Sequence, residues 1–258
     1  MKTVRIILVL VVLSVCAFAA GYWTSSKGMT PTVEVIDSTT MLEVYQELPV
    51  NSVKEIHLKG VNVNVKISKS DSQYIRVIYQ PETDKKTFHY TINDGIMELE
   101  AESLQYSPQF LPSQTEVIRI YLPKQSNVIV VNETESGYFD MEQVRVADLT
   151  VSSKEGFVSL HNVEVTNTLT VNTTGGNVYM ENVNAKVSSL NTASGSLNAK
   201  WNQPLSAYSF AVSTVKGHIF INNEQVDCGT VQRDDCPILI LSTGSADLRL
   251  HFAKEEEE

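Results

Sequence analysis

A glycine recurs through the second half of the chain, and the residues around each copy follow one pattern. The copies are marked by Gly137, Gly156, Gly176, Gly195, Gly217 and Gly244. In every copy the second and fourth residues after the glycine are apolar, as Val158 and Leu160 are after Gly156. From the second copy onward, an apolar residue also stands five positions before the glycine. This alternation predicts β-strands with one buried face.

The intervals between the glycines indicate how the copies assemble. Successive glycines are 19 to 27 residues apart, which is room for two or three short strands that cannot bury their apolar side alone. Stacked copies bury it jointly, at about 4.8 Å per layer. We therefore predict an all-β, single-domain β-solenoid resembling a parallel β-helix, with rungs stacked in sequence order. The longer steps before Gly217 and Gly244 are then rungs with insertions.

Two local features of the repeat refine this prediction. Pairs such as Ser194 and Gly195 predict tight turns in which glycine adopts a positive φ at little cost. In the first three copies the seventh residue after the glycine is valine, at Val144, Val163 and Val183. These valines predict one more buried position in each rung.

The residues between the buried positions face outward in this arrangement and form rows along the solenoid axis. The fifth residues after the glycines mix charges, so neighbours such as Glu181 and Lys200 attract each other. One interpretation of these rows is an ordinary solvated sheet face. The other is a weak binding surface for a glycan or a protein partner, formed by exposed aromatic side chains. Those side chains are Tyr138, Phe157, Tyr179 and Phe220.

Catalysis on such a face requires two or three acidic or basic groups close together. In the predicted stack, Asp140 and Asp247 share a row but lie five layers apart, about 24 Å. The five histidines are dispersed, and no nucleophile, phosphate-binding or zinc motif is present. We predict a non-catalytic protein without a cofactor or metal. A polysaccharide-degrading β-helix enzyme is the less favoured alternative.

The first half of the chain predicts a different set of strands. Residues 53–67 alternate clearly, and residues 74–79 form a second strand. The sequence Asn-Asp-Gly at 93–95 predicts a hairpin turn between two short strands. Residues 103–115 are a predicted loop, and residues 116–124 a strand that leads into the solenoid.

The N-terminal segment predicts export. Two positive residues within the first five precede an apolar run that extends to Ala20, as in a secretory signal. Residues 17–19 (Ala-Phe-Ala) fit a cleavage site, whereas residues 21–23 (Gly-Tyr-Trp) fit the membrane interface of a retained transmembrane anchor. Lipid attachment at Cys16 is a third alternative. Whether residues 1–23 are a cleaved signal peptide or an anchor stays open, but each alternative exports the rest of the chain.

Two further cysteines frame a short polar segment. Cys228 and Cys236 are eight positions apart, with no other Cys or His at metal-ligand spacing nearby. In an oxidising compartment, such a pair predicts a disulfide that closes a protruding loop.

The overall charge excludes one class of partner. The chain has 20 Lys and Arg against 30 Asp and Glu, a formal net charge of −10. Such a protein repels phosphate, so we predict no nucleic-acid partner.

The order of three sequence segments resembles a known family. An opening strand at 56–65 (Ile-His-Leu-Lys-Gly-Val-Asn-Val-Asn-Val) precedes a strand end at 121–124 (Tyr-Leu-Pro-Lys) and repeats such as 174–183 (Thr-Gly-Gly-Asn-Val-Tyr-Met-Glu-Asn-Val). This order resembles the bacterial putative-adhesin family of unknown function, over roughly residues 50–252. The resemblance implies a β-solenoid on the outer side of the cytoplasmic membrane, with no catalytic motif.

The predicted organisation places an export segment at 1–23, a linker at 24–50, the solenoid domain at 51–252 and an acidic tail at 253–258. Within the domain, residues 51–124 form the opening strands and residues 125–252 the repeats. We expect a binding or scaffolding module of the bacterial cell envelope, either membrane-anchored or periplasmic or secreted. Its expected partner is a glycan, a surface or an envelope protein. The alternative function is an envelope-stress or membrane-maintenance role through a membrane partner.

Overall fold

A computed structural model of the protein describes residues 32–37, 44–80, 87–102 and 117–255. The predicted export segment at 1–23 lies outside the described residues, as do part of the predicted linker and the predicted loop at 103–115. Within the described ranges, no helix has the length and apolar character needed to cross a bilayer. These ranges form 24 strands and two short 3₁₀ helices.

The strands are numbered here in chain order. The opening half contains β1 (Thr32–Asp37), β2 (Val44–Pro49), β3 (Glu55–Asn62), β4 (Asn64–Ser70), β5 (Tyr74–Gln80), β6 (Thr87–Asn93), β7 (Ile96–Glu102) and β8 (Val117–Pro123). The repeat half contains β9 (Ile129–Ser136), β10 (Tyr138–Glu142), β11 (Arg145–Val146), β12 (Asp148–Ser153), β13 (Phe157–His161), β14 (Glu164–Val165), β15 (Thr168–Thr173), β16 (Val178–Glu181), β17 (Val187–Thr192), β18 (Leu197–Pro204), β19 (Ser209–Thr214), β20 (Ile219–Ile221), β21 (Glu224–Val226), β22 (Gly229–Val231), β23 (Ile238–Thr243) and β24 (Leu248–Ala253). The 3₁₀ helices are Val50–Ser52 and Leu205–Ala207.

Two eleven-stranded sheets enclose one continuous hydrophobic core. The first sheet has the order β1-β6-β7-β3-β9-β12-β15-β17-β23-β19-β22. The second has the order β2-β5-β8-β4-β10-β13-β16-β18-β24-β20-β21, and β11 with β14 forms a short third sheet. The predicted all-β solenoid of stacked strands is therefore confirmed.

Each repeat contributes one strand to the first sheet and the next strand to the second sheet, with the turn between them. β12 pairs in parallel with β9 and β15, and β13 pairs in parallel with β10 and β16. The inward residues Val158 and Leu160 are fully buried, as the alternation predicts. Asn132, five positions before the first turn glycine, is also fully buried and donates from Nδ2 to Thr134 Oγ1 at 3.1 Å.

Close packing between layers favours glycine at most turns of the repeat, since a Cβ at Gly195 would lie 1.9 Å from the Gly176 carbonyl oxygen. Among the turn glycines of the repeat, only Gly137 has a positive φ (112°), so the positive φ expected at Gly195 is wrong. A hydroxyl three residues earlier closes the turn, because the Gly195 N–H donates to Thr192 Oγ1 at 3.0 Å. The sequence has a serine or threonine three positions before five of the six glycines, at Thr134, Ser153, Thr173, Thr192 and Thr214.

The second-sheet strands end at a corner in the left-handed conformation. Gln143, Asn162 and Asn182 have φ values of 55°, 52° and 56°, which asparagine adopts more readily than most residues. Asn182 Nδ2 donates to Asn162 Oδ1 at 3.0 Å, so the corners are linked along the axis. The residues that follow are buried as predicted: Val144, Val163 and Val183.

The rungs do not stack in sequence order near the end of the chain. The sequence predicts that the rung of β19 and β20 lies directly on the rung of β17 and β18. Instead, β23 pairs with both β17 and β19, and β24 pairs with both β18 and β20. The last repeat is thus inserted one layer earlier than predicted.

The turn of this inserted rung is also shifted by two residues. Leu248 pairs with Leu197 and with Ile219, so Ala246 rather than Gly244 aligns with the turn glycines of its neighbours. Asp247 consequently lies beside His218 in the first outward row, and its Oδ1 accepts the His218 backbone N–H at 3.0 Å. Asp140 and Asp247 are therefore in different rows, four layers apart.

The opening half adds two parallel layers, β3 with β4 and β7 with β8, and an antiparallel edge to each sheet. β3 and β4 pair in parallel with β9 and β10, and β7 and β8 stack on their other side. The predicted hairpin joins β6 to β7 through Asp94 (φ 51°) and Gly95 (φ 87°). These strands position Lys66 and Asn64 of β4 beside the repeat.

Candidate functional site

The outer face of the second sheet carries the exposed aromatic side chains that the sequence singled out. The rings of Tyr138 and Phe157 stack with centroids 5.2 Å apart and planes 3° from parallel. Their exposed fractions are 38% and 37%. The parallel register of β10 on β13 places the two rings at the same position in successive layers.

Tyr179 extends this surface onto the next layer. It lies on β16, which pairs with β13, and its exposed fraction is 39%. Its hydroxyl donates to Glu181 Oε2 at 3.2 Å. Partial burial and this hydrogen bond raise the pKa of Tyr179, so the hydroxyl remains a neutral donor. We call Tyr138, Phe157 and Tyr179 the aromatic face.

The fourth predicted residue of this surface lies apart. Phe220 is on β20, three layers beyond β16 in the second sheet. The Arg249 guanidinium lies over its ring at 4.9 Å from the centroid. The predicted four-residue surface is thus a stacked pair of rings, a third ring one layer on in a different row because Tyr179 pairs with Ser159, and one separate cation–aromatic pair.

Amide and hydroxyl groups continue the row of Tyr138 and Phe157 in both directions. The Tyr138 N–H donates to Asn64 Oδ1 at 2.8 Å, and the Ser196 N–H donates to Asn177 Oδ1 at 2.9 Å. Asn177 lies beside Phe157 in the adjacent layer, because Val178 pairs with Val158. From Asn64 to Ser196 this row carries no charge, and hydrogen-bonding groups flank the two rings.

A ladder of ion pairs borders the aromatic face. Lys66 Nζ lies 3.5 Å from Asp140 Oδ2 and 3.3 Å from Glu142 Oε1. Lys200 Nζ donates to Glu181 Oε1 at 2.9 Å, which confirms the predicted pair, and His161 Nδ1 lies 3.3 Å from Glu181 Oε2. Sequence reasoning missed Lys66, because nothing in the pattern indicates that β4 pairs with β10.

The pKa directions of Lys66, Glu181 and Lys200 favour the charged form of each. Desolvation by itself would lower the pKa of Lys66, but Glu142 and Asp140 outweigh it and raise that pKa. The hydrogen bond from Lys200 lowers the pKa of Glu181, and the same bond raises the pKa of Lys200. Each of the three carboxylates that border the aromatic face lies within ion-pair distance of one of two lysines. Across the described part of the chain, no cluster of three or more His, Cys, Asp or Glu side chains could hold a metal ion.

The predicted disulfide does not form in the structure. Cys228 and Cys236 are free thiols, the first exposed and the second half-buried. The segment between them is not a closed polar loop, because its first part forms β22, which pairs antiparallel with β19. Cys228 Sγ instead lies 3.8 Å from the Thr214 carbonyl oxygen.

These features define a two-sheet β-solenoid with an aromatic and amide surface on one sheet. The Toastrack DUF4097 family model matches residues 53–254, and the chain belongs to this family. This match confirms the resemblance to an adhesin-like family of unknown function. A comparison with curated proteins found no significant match.

Solved structures from two bacterial species are similar to the chain at low sequence identity. A putative cell adhesion protein from Clostridium sporogenes is 14% identical, and the match covers 86% of this chain and 100% of that chain, with a TM-score of 0.48. A putative adhesin from Bacteroides fragilis is 12% identical, with 82% and 98% covered and a TM-score of 0.43.

Proposed function

We propose that the chain is a non-catalytic binding module and that the aromatic face binds a neutral glycan on an external surface. The observation that carries this proposal is the exposed stack of Tyr138 and Phe157, flanked by amides in an uncharged row. A pyranose ring presents a face of C–H groups, which packs on an aromatic ring. Its hydroxyl groups require hydrogen-bonding partners: beside the bonds already made, the Asn177 amide nitrogen can donate, and the Tyr179 and Ser196 hydroxyl oxygens can accept.

Charge favours a neutral glycan over an acidic one. The formal net charge of the chain is −10, so an anionic polymer is repelled at long range. Near the rings, the carboxylates of Asp140, Glu142 and Glu181 already pair with Lys66 and Lys200. The cations are therefore engaged and do not form a site for acidic sugars.

The triple variant Tyr138→Ser, Phe157→Ser, Tyr179→Ser tests the aromatic face. Titration calorimetry with cellohexaose and chitohexaose as probes is expected to show binding by the wild type. We expect at least a tenfold loss in the triple variant, about 1.4 kcal/mol, because the stacking surface is removed. The control is Ile238→Ser, Ile240→Ser on the first sheet, since these side chains are similarly exposed, at 42% and 45%.

Two results would contradict the proposal. One is equal affinity of wild type and triple variant for both probes. The other is that neither probe binds the wild type at millimolar concentration. An equal loss in the control variant would assign the effect to the fold and not to the rings.

The proposed location is outside the cytoplasm, supported by the charged and apolar N-terminal sequence at 1–23. In intact cells that carry a C-terminal tag, we expect the protein to be cleaved by added protease. Cell fractionation then distinguishes a membrane-retained chain from a released one. Complete protection from protease in intact cells would contradict external adhesion and favour a role with an internal envelope partner.

A further inference from the structure

The inserted rung, β23 with β24, is the sole strand connection between two parts of the described solenoid. On one side lie β17 and β18, and on the other lie β19 and β20 with β21 and β22, which we call the end cap. No strand of the end cap pairs directly with β17 or β18 in the described chain. The end cap is therefore held in the sheets through the inserted rung.

The layer that this rung occupies is shaped for one kind of occupant. β23 and β24 complete the backbone pairing of two strand edges in each sheet, all in parallel register. The rung also fills the core with buried apolar side chains, at Leu239, Leu241, Leu248, Leu250 and Phe252. A segment that replaces it must supply two strands with the same spacing of apolar residues. The inserted rung of a second copy meets that requirement because its sequence is the same.

The connection into the inserted rung has the character of a hinge. Arg233 is fixed to the end cap, because its N–H donates to Ser209 Oγ at 2.8 Å and its carbonyl accepts from the same hydroxyl at 2.9 Å. Asp234 and Asp235, which follow, are exposed, and Asp235 has a φ of 56°. The turn at Asp235 therefore directs the chain back into its own layer. With that residue in an extended conformation, the same rung projects away from its own end cap.

We propose that this layer is a binding site for the inserted rung of a second copy, so that two chains can exchange β23 and β24. The exchanged dimer keeps every strand pair and buried side chain of the single chain and changes the conformation only at the hinge. Exchange of an identical element between protomers is a low-cost route to a dimer. The exchanged dimer then buries, on each chain, the apolar side chains of a complete rung of the partner.

Cysteine pairs across the layer test the exchange directly. Ser189 of β17 and Ile240 of β23 are in register and face outward, on strands about 4.8 Å apart, within the range that a disulfide spans. Ser189→Cys and Ile240→Cys are placed in separate full-length chains whose three native cysteines are serine. The two chains are unfolded together and refolded over a range of concentrations.

We expect covalent dimers in this mixture, at a fraction that rises with concentration. A mixture of Glu133→Cys with Ile240→Cys is the matched control, since Glu133 is exposed on β9, four strands away from β23. We expect its dimer fraction to be several-fold lower. One chain with both Ser189→Cys and Ile240→Cys shows that the bond closes within a monomer. Bond closure in that chain, with no dimer above the control in the mixtures, would overturn the proposal.

The hinge provides a second measurement that needs no crosslink. Proline cannot adopt the φ of Asp235, so Asp235→Pro opens the turn, whereas Asp235→Gly allows it. After refolding at the same concentration, we expect a several-fold larger dimer fraction by light scattering for Asp235→Pro. Equal dimer fractions in the two variants, or monomers only in both, would overturn the proposal.

Discussion

Replacing Gly176 with alanine is expected to lower the free energy of unfolding by about 3 kcal/mol, at the upper end for overpacking. A Cβ atom at this position would lie 1.8 Å from the Gly156 carbonyl oxygen in the layer below. The obstacle is backbone, so no side chain can rotate away to relieve it. Layers must therefore separate at this turn, and the strand pairs on both sides weaken.

Gly175→Ala is the matched control, because it makes the same chemical change one residue earlier. A Cβ at Gly175 meets nothing closer than the Ser194 Oγ at 3.7 Å, which is ordinary van der Waals contact. Urea denaturation followed by circular dichroism compares the two variants with the wild type. Similar losses in both variants would show that the close approach at Gly176 is not the cause. An unchanged midpoint for Gly176→Ala would show that the layers adjust freely.

The repeat glycines illustrate what the sequence could predict and what it could not. Their spacing, and the alternation after them, correctly predicted the strands and the inward positions such as Val158 and Leu160. The physical reason why glycine stands at these turns was predicted less well, because a tight turn and a close approach between layers both favour glycine. The close approach of Gly176 to the Gly156 carbonyl oxygen distinguishes the two explanations. It arises only when the layers are stacked, so the sequence alone does not reveal it.

The order of the last rungs could not be predicted from the pattern. Val212 and Leu241 are both apolar residues that stand before a turn, so either one fits on Leu190. Local alternation fixes which side chains face inward, but it does not specify which strand becomes the neighbour. This error also placed Asp247 in the wrong outward row of the surface.

The candidate site shows the same limit. The three rings of the aromatic face were predicted as outward residues of successive repeats, since Tyr138, Phe157 and Tyr179 lie in regular rungs with consecutive layers. Phe220 was grouped with them by its position after a glycine, but two layers, those of β18 and β24, separate it from Tyr179. Lys66 lies 74 residues before Asp140 in the chain, and its contact arises only from the pairing of β4 with β10.

Leu241→Ala is expected to cost 2–5 kcal/mol, which is about the range for truncating a well-packed core leucine. Leu241 is 1% exposed and pairs in register with Leu190 on one side and Val212 on the other. Stacking in sequence order would put this rung at the end of the solenoid, with one neighbouring layer. Because the rung is inserted, it has two neighbouring layers. A cavity at Leu241 therefore also weakens the attachment of the end cap.

Ile240→Ala on the same strand is the control for Leu241→Ala. Ile240 faces outward and is 45% exposed, so its truncation is expected to change stability by no more than about 0.5 kcal/mol. Hydrogen exchange of the two variants separates the local from the global effect. In Leu241→Ala, amides of β19 and β20 should lose protection together with those of β23, because in the described chain the end cap pairs with the rest of the sheets only through the inserted rung. Loss of protection confined to β23 and β24 would contradict the inserted order, since a terminal rung frays without disturbing strands that do not depend on it.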